Sequence, residues 1–218
     1  VRKRYAVPAA KLGVVYNAVD LPAASDELLR PISQREKIVL FLGRVTMQKG
    51  PEYFLQAARK VVDHFDGVRF VMAGSGDMIT KCVKLAADLK LGSHVTFTGF
   101  LRGRDIDRIF AMADLYVMPS VSEPFGIAPL EALSHNVPVI ISKQSGVSEV
   151  LTHALKVDFW DTDEMANKIL AVLKHPPLQR TLRQHGNIEV SRLSWLNSAK
   201  ELLAIYGELA PDADMPTP

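Results

Sequence analysis

The chain has 218 residues, 48% of them hydrophobic, and a formal net charge of +2. That length supports one substantial core, and so even a charge balance gives no reason to expect a nucleic-acid partner. The single cysteine, Cys82, excludes an internal disulfide framework and fits a reducing, cytoplasmic setting. No apolar run approaches the roughly 20 residues of a membrane helix. The opening VRKRYAVPAAK has neither a signal peptide nor an initiator Met, and it reads as the start of a fragment of something longer.

Residues 1–36 read as a linker with a first short strand. The apolar run Gly13 to Tyr16 is followed by Asn17-Ala18-Val19-Asp20 and by proline-containing patches around Pro22 and Pro31. From Lys37 the pattern changes. KIVLFLGRV predicts a buried strand. EYFLQAARKVVDHF then places Phe54, Ala57, Ala58, Val61, Val62 and Phe65 at helical spacing. Strand VRFVMAG, a helix from about Met78 to Leu91, strand HVTFTGF and helix RDIDRIFAMA follow. Next come strand LYVMPS, helix PLEALSH, strand PVIIS, a short SEVLTH helix and a weak strand at LKVDF. The rest is helical from near Asp163, and residues 211–218, PDADMPTP, read as a disordered tail. One domain is therefore expected over 37–210.

Strands and helices alternate through short connections, and the strands are continuously apolar. This predicts an α/β domain with a doubly wound, Rossmann-like parallel sheet covered on both faces. Ligands of such sheets bind beyond the carboxyl ends of the strands. The chemistry is expected in GRVTMQKGPE, AGSGDM, TGFLRGRD, PSVSEPFGIAP and SKQSGVSE, which carry most of the loop glycines.

The stretch SVSEPFGIAPLEAL sets two acids, Glu123 and Glu131, among apolar and small residues. Pro124 keeps Glu123 out of a helix, whereas Pro129 suits a helix's first turn. Glu123 is thus expected in the loop and Glu131 in the helix's first turn, with the amides of Phe125, Gly126 and Ile127 between them. That is an anion cradle flanked by two hydrogen-bond acceptors, and a nucleotide sugar fits it: a diphosphate between ribose and hexose hydroxyls. Arg44 and Lys49 in the first loop are placed to supply the cations. The plainer alternative makes Glu123 a solvated loop acid and Glu131 a partner of its own helix dipole.

These residues resemble the C-terminal domain of the retaining glycosyltransferases of family 4, which have the GT-B fold and include glycogen and sucrose synthases. The signature Glu, seven residues, Glu stands here as Glu123-PFGIAPL-Glu131, with EPFG and LEA intact. Gly43-Arg44 with Lys49-Gly50 matches the first-loop motif, and Phe97-Thr98-Gly99-Phe100 the third-strand motif. Asn17-Ala18-Val19-Asp20 resembles the interdomain "NGVD", with Ala18 in place of Gly. Ser145-Gly146 stands where the family often has Gly-Gly, and Asn136 replaces a common glycine.

The resemblance implies a hexosyltransferase with a UDP-, GDP- or ADP-sugar donor, no metal or other cofactor, and retention at the anomeric carbon. Arg44 and Lys49 would hold the diphosphate and Glu123 would contact the transferred sugar, the three making the catalytic set. Glu131 would bind ribose hydroxyls. Phe125, Gly126 and Ile127 would offer amides to sugar and phosphates. Gly43, Gly74 and Gly76 would let the loops approach the ligand, and Gly99 and Phe100 would lie near the base. The implied partners are a missing N-terminal GT-B domain and a carbohydrate or lipid-linked acceptor. The implied location is cytoplasmic, with peripheral membrane attachment of the full-length enzyme left open. This chain alone would be the donor-binding half and inactive.

Other features weigh less. Gly74-Ser75-Gly76 alone is a weak phosphate-loop signal, and the lack of a full G-x-G-x-x-G counts against a dinucleotide oxidoreductase. The histidines show no metal-ligand spacing, and Cys82 reads as packing. Trp160 and Trp195 are expected as core or interdomain anchors, and Arg102, Arg104 and Arg108 as a solvated face or a basic patch near the base. Two competing readings are a nucleotide-sugar epimerase of the same architecture and a non-catalytic nucleotide-binding or scaffold module. In the scaffold reading, Leu196, Ala199, Leu202, Leu203 and Tyr206 would offer an apolar stripe to a protein partner.

Overall fold

Short β-branched runs separated by amphipathic helices build a single parallel sheet. The computed structural model describes residues 2–20 and 36–209. Its strands are β1 (Lys37–Leu42), β2 (Val68–Ala73), β3 (Val95–Gly99), β4 (Leu115–Met118), β5 (Val139–Ser142) and β6 (Leu155–Val157). They lie in the order β3-β2-β1-β4-β5-β6, and every pairing is parallel. The helices are α1 (Arg2–Tyr5), α2 (Pro51–Val62), α3 (Ile79–Asp88), α4 (Arg104–Met112), α5 (Ala128–Ser134), α6 (Thr162–Lys174), α7 (Pro176–Ser191) and α8 (Trp195–Leu209).

Alternate residues of a strand face opposite sides, and here both sides are buried. Val39 and Phe41 of β1 join Phe54, Phe70 and Cys82 under α2, α3 and α6. Leu40, between them, joins Tyr116, Phe110 and Leu130 under α4 and α5. Phe54 packs against Phe41 and Phe70 with ring centroids 5.6 and 5.5 Å away. Truncating such a buried aromatic costs about 3–5 kcal/mol, so this face fixes how α2 sits on the sheet. Cys82 is fully buried and burial pushes its thiol up to about 11, in keeping with packing.

The doubly wound sheet is as the sequence predicts, and the differences are local. Gly13 to Tyr16 form no strand. SEVLTH is no helix: a 3-10 turn over Gly146–Glu149 takes its place. Trp160 and Trp195 are not in the core, being 57% and 45% exposed. Leu196, Leu202 and Tyr206 of the α8 stripe are also exposed, and Leu203 is half-buried. Asn136, which replaces a common glycine, takes the left-handed conformation with φ 58°, one that asparagine tolerates better than most residues. Ala18 and Ser145 are absent from the left-handed region, which is why a side chain is tolerated where the family often has glycine. The expected tail at 211–218 lies outside the described residues, as do Pro22 and Pro31.

Strand order reverses between β1 and β4, since β1 runs on to β2 on one side and meets β4 on the other. A crevice opens where the loops after these two strands part, and this is where α/β sheets take their ligands. No helix among the described residues is long and apolar enough to cross a membrane.

Candidate functional site

The loop after β1 turns through a 3-10 helix, Met47–Lys49, and Gly50-Pro51 then starts α2. This turn is laced to the loop after β4: the Gln48 carbonyl accepts from the Val121 and Ser122 amides at 2.9 and 3.4 Å. Lys49 and Glu123 are thereby brought across the crevice into an ion pair, with side chains 21% and 11% exposed.

The loop after β2 reaches the first loop through its glycines. A Cβ on Gly74 would run into the Gly43 carbonyl, and one on Gly76 into the Val45 carbonyl. The Val45 amide donates to the Ser75 carbonyl at 2.9 Å, and the Gly74 amide to Gly99 at 2.8 Å. Gly76 therefore serves loop-on-loop packing, and it lies outside the pocket walls. Gly74 does both, since it also lines the cleft.

Glu123-Pro124-Phe125-Gly126 is fixed from behind by the loop after β5. The Gly146 amide donates to the Glu123 carbonyl at 3.0 Å, and the Val147 amide to the Phe125 carbonyl at 2.8 Å. A Cβ on Gly146 would collide with the Pro124 carbonyl, so this approach needs glycine. With the carbonyls so engaged, the amides of Phe125, Gly126 and Ile127 have no acceptor among the described residues. Pro129 and Glu131 then occupy the first turn of α5, as the sequence predicts.

Two adjoining pockets share Lys49 and Ala128. One, of about 350 Å³, is lined by Gly43, Arg44, Gly74, Ser75, Phe100 and Glu131 among others. The other, of about 360 Å³, is lined by Asn17, Glu123, Phe125, Gly126 and Ile127. Phe100 is 63% exposed, and the Arg102 guanidinium lies 5.0 Å from its ring centroid. Gly99 ends β3 and lends its carbonyl to Gly74 without reaching the pocket wall.

Glu131 is half-buried and its carboxylate has no hydrogen-bond donor among the described residues. Burial raises its pKa, and Asp107 adds to the rise while His135 opposes it. A carboxylate held like this lacks the donors that would settle it, and a ligand can bring them.

Most of the residues singled out in the sequence thus converge, with Gly76 and Gly99 outside the walls. Asn17, Ser75 and Leu101 at the walls were not singled out as site residues. Asn17 carried a signal as the first residue of Asn17-Ala18-Val19-Asp20, and Ser75 a weak one within Gly74-Ser75-Gly76.

Fold and crevice together define a Rossmann-like α/β domain of the kind that forms the C-terminal half of a GT-B glycosyltransferase. The chain belongs to the family of glycosyl transferases group 1, whose sequence profile matches residues 29–188. It is 32% identical over 214 residues to an uncharacterized glycosyltransferase of Methanocaldococcus jannaschii, covering 91% of this chain and 54% of that protein. Sucrose-phosphate synthase from Thermosynechococcus elongatus superposes with a TM-score of 0.80 at 25% identity, over 97% of this chain and 56% of that one. Anabaena HepE, crystallised with UDP and glucose, superposes at 0.81 with 21% identity, over 90% of this chain and 57% of that one. The chain therefore spans about half the length of the relatives it matches.

Proposed function

We propose that this chain is the donor-binding domain of a retaining glycosyltransferase that moves a hexose from a nucleoside-diphosphate sugar to an acceptor. The observation that carries this reading is the pair of adjoining pockets, each with its own carboxylate, meeting at one lysine. The charges fit such a donor in order. Glu131 accepts from ribose hydroxyls beside the glycine-lined loops, with Phe100 next to the base. Lys49 and Arg44 meet the diphosphate between the pockets. Glu123 and the amides of Phe125, Gly126 and Ile127 meet the sugar and the phosphate nearest it. HepE, with UDP and glucose bound, offers a precedent on the same fold.

Breaking the bond between sugar and diphosphate builds negative charge on the leaving phosphate. Two cations and a row of preorganised amides stabilise that charge where it develops, so this reading requires no divalent metal. Retention at the anomeric carbon and hexose as the transferred group follow from the resemblance around Glu123 and Glu131. The acceptor, a carbohydrate or a lipid-linked sugar, is assigned to a partner domain beyond these residues, and the whole enzyme to the cytoplasm.

Titration calorimetry with UDP, GDP, ADP and the matching nucleotide sugars tests the proposal. Binding of at least one nucleoside diphosphate without sugar transfer by this chain alone is expected. Absence of heat and of thermal stabilisation with the whole panel would overturn it.

A further inference from the structure

Tyr16 has no part in the site as described so far, yet it reaches the sugar-side loop. Its ring stacks on Phe125, with centroids 5.9 Å apart and planes 29° from parallel. Its hydroxyl lies 3.5 Å from Glu149 Oε2. Its carbonyl accepts from Ser198 Oγ of α8 at 2.9 Å, and three residues on the Val19 amide donates to the Leu193 carbonyl at 3.3 Å. The main chain of this segment is thus tied down while the side chain extends over the loop.

Glu149 closes the 3-10 turn whose Val147 amide holds the Phe125 carbonyl. The contacts form a closed circuit: Tyr16 to Phe125 by stacking, Phe125 to Val147 through the backbone, and Glu149 back to the Tyr16 hydroxyl. Backbone bonds from Gly146 and Val147 hold the Glu123–Phe125 loop from behind. These bonds and the ties of Val121, Ser122 and Glu123 to the first loop hold the start of the segment, and beyond the Phe125 carbonyl the chain through Gly126 can still pivot. A ring pressed on Phe125 from a different direction removes that freedom. Ordering the amides of Phe125, Gly126 and Ile127 before a ligand arrives removes that ordering cost from binding.

We propose that Tyr16 is a positioning residue: its stack on Phe125 aims the loop amides at the sugar-phosphate half of the donor. The inference rests on the donor-site reading above and adds a side chain from outside the cleft. It acts on one half of the ligand only, because the base and ribose lie in the pocket of Phe100 and Glu131, which Tyr16 does not touch.

The test compares each nucleotide sugar with its nucleoside monophosphate: UDP-glucose with UMP, GDP-mannose with GMP, ADP-glucose with AMP. In the pair the unaltered protein binds, Tyr16→Ala is expected to weaken the nucleotide sugar about tenfold, the scale of one aromatic pair, and to leave the monophosphate within about twofold. Tyr16→Phe keeps the stack and should restore the unaltered affinity. Tyr16→Leu keeps apolar volume without the ring face and should fall between them. Amide hydrogen exchange at residues 123–127 should quicken in Tyr16→Ala, with the melting temperature held within a few degrees. Equal weakening of both ligands, or failure of Tyr16→Phe to restore binding, overturns the assignment. If the unaltered protein binds no ligand of the panel, the donor-site reading falls and the role of Tyr16 with it. If it binds and Tyr16→Ala changes neither affinity, only the role of Tyr16 falls.

Discussion

The two ends of the sheet treat their polar groups in opposite ways. At the amino end of β4, Asp114 accepts from the Lys37 ammonium and the Ile38 amide, both at 3.0 Å. Its own amide donates to the Ile38 carbonyl at 2.8 Å, and its carbonyl accepts from Gln179 at 3.1 Å. At the carboxyl end, Glu131 lacks a donor, Arg44 is exposed, and three consecutive amides have no acceptor among the described residues. One end closes on itself and the other is held open. Polar groups left without partners among the described residues gather here at the switch point, where α/β sheets take their ligands.

The contrast predicts which substitutions damage the fold and which damage binding. The largest effect is expected at the closed end: Asp114→Ala should cost about 2–3 kcal/mol of stability in thermal or denaturant unfolding, since two hydrogen bonds to a charged group go at once. Nucleotide affinity measured on the folded fraction should not change; a parallel loss of affinity would break the comparison. Lys49→Ala comes next. It should weaken nucleotide binding by about 1.5–3 kcal/mol, and it should also lower the melting temperature because Glu123 is left unpaired. Arg44→Ala should match it in calorimetry at the lower end of that range, with the melting temperature unchanged, because Arg44 is exposed.

The smallest effect sharpens the comparison most. Glu131→Gln is expected to weaken nucleotide-sugar binding while leaving the melting temperature at neutral pH equal or slightly raised. Burial holds the Glu131 carboxyl above its ordinary value of 4.5, so the folded state keeps this proton more tightly than the unfolded chain. The stability this group contributes is present below about pH 4.5 and is lost as pH rises through the raised value. A ligand that donates hydroxyl hydrogens favours the ionised form, so affinity should rise across the same window. Calorimetry at several pH values should show that slope, and Glu131→Gln should flatten it.

The sheet was legible because its strands are continuous apolar runs, and a parallel sheet buried on both faces has few other patterns. The cleft was legible where short motifs carry their own mechanics: Pro124 excluding Glu123 from the helix, Pro129 opening α5, Glu131 one turn in. What escaped depends on contacts between distant segments. Gly146 reads in sequence as half of a diglycine turn, yet its need is the Pro124 carbonyl. Gly76 reads as a ligand-facing glycine, yet it faces Val45. Gly13 to Tyr16 have strand composition, but no strand among the described residues offers them a ladder; Tyr16 meets Phe125 and α8 instead. The two tryptophans were expected as core or interdomain anchors; they are not in the core, and composition does not say which large rings the layers cover.

Lys49 and Glu123 clasp one another in an ion pair, and a donor bound as proposed would part them. An inorganic anion would satisfy the ammonium and strand the carboxylate; a free sugar would do the reverse. A molecule that brings an anion and neighbouring alcohols together would compensate both halves in one event, like a lock turned by two keys at once. On the proposed reading, that single ion pair would discriminate against the cell's abundant phosphate and loose sugars.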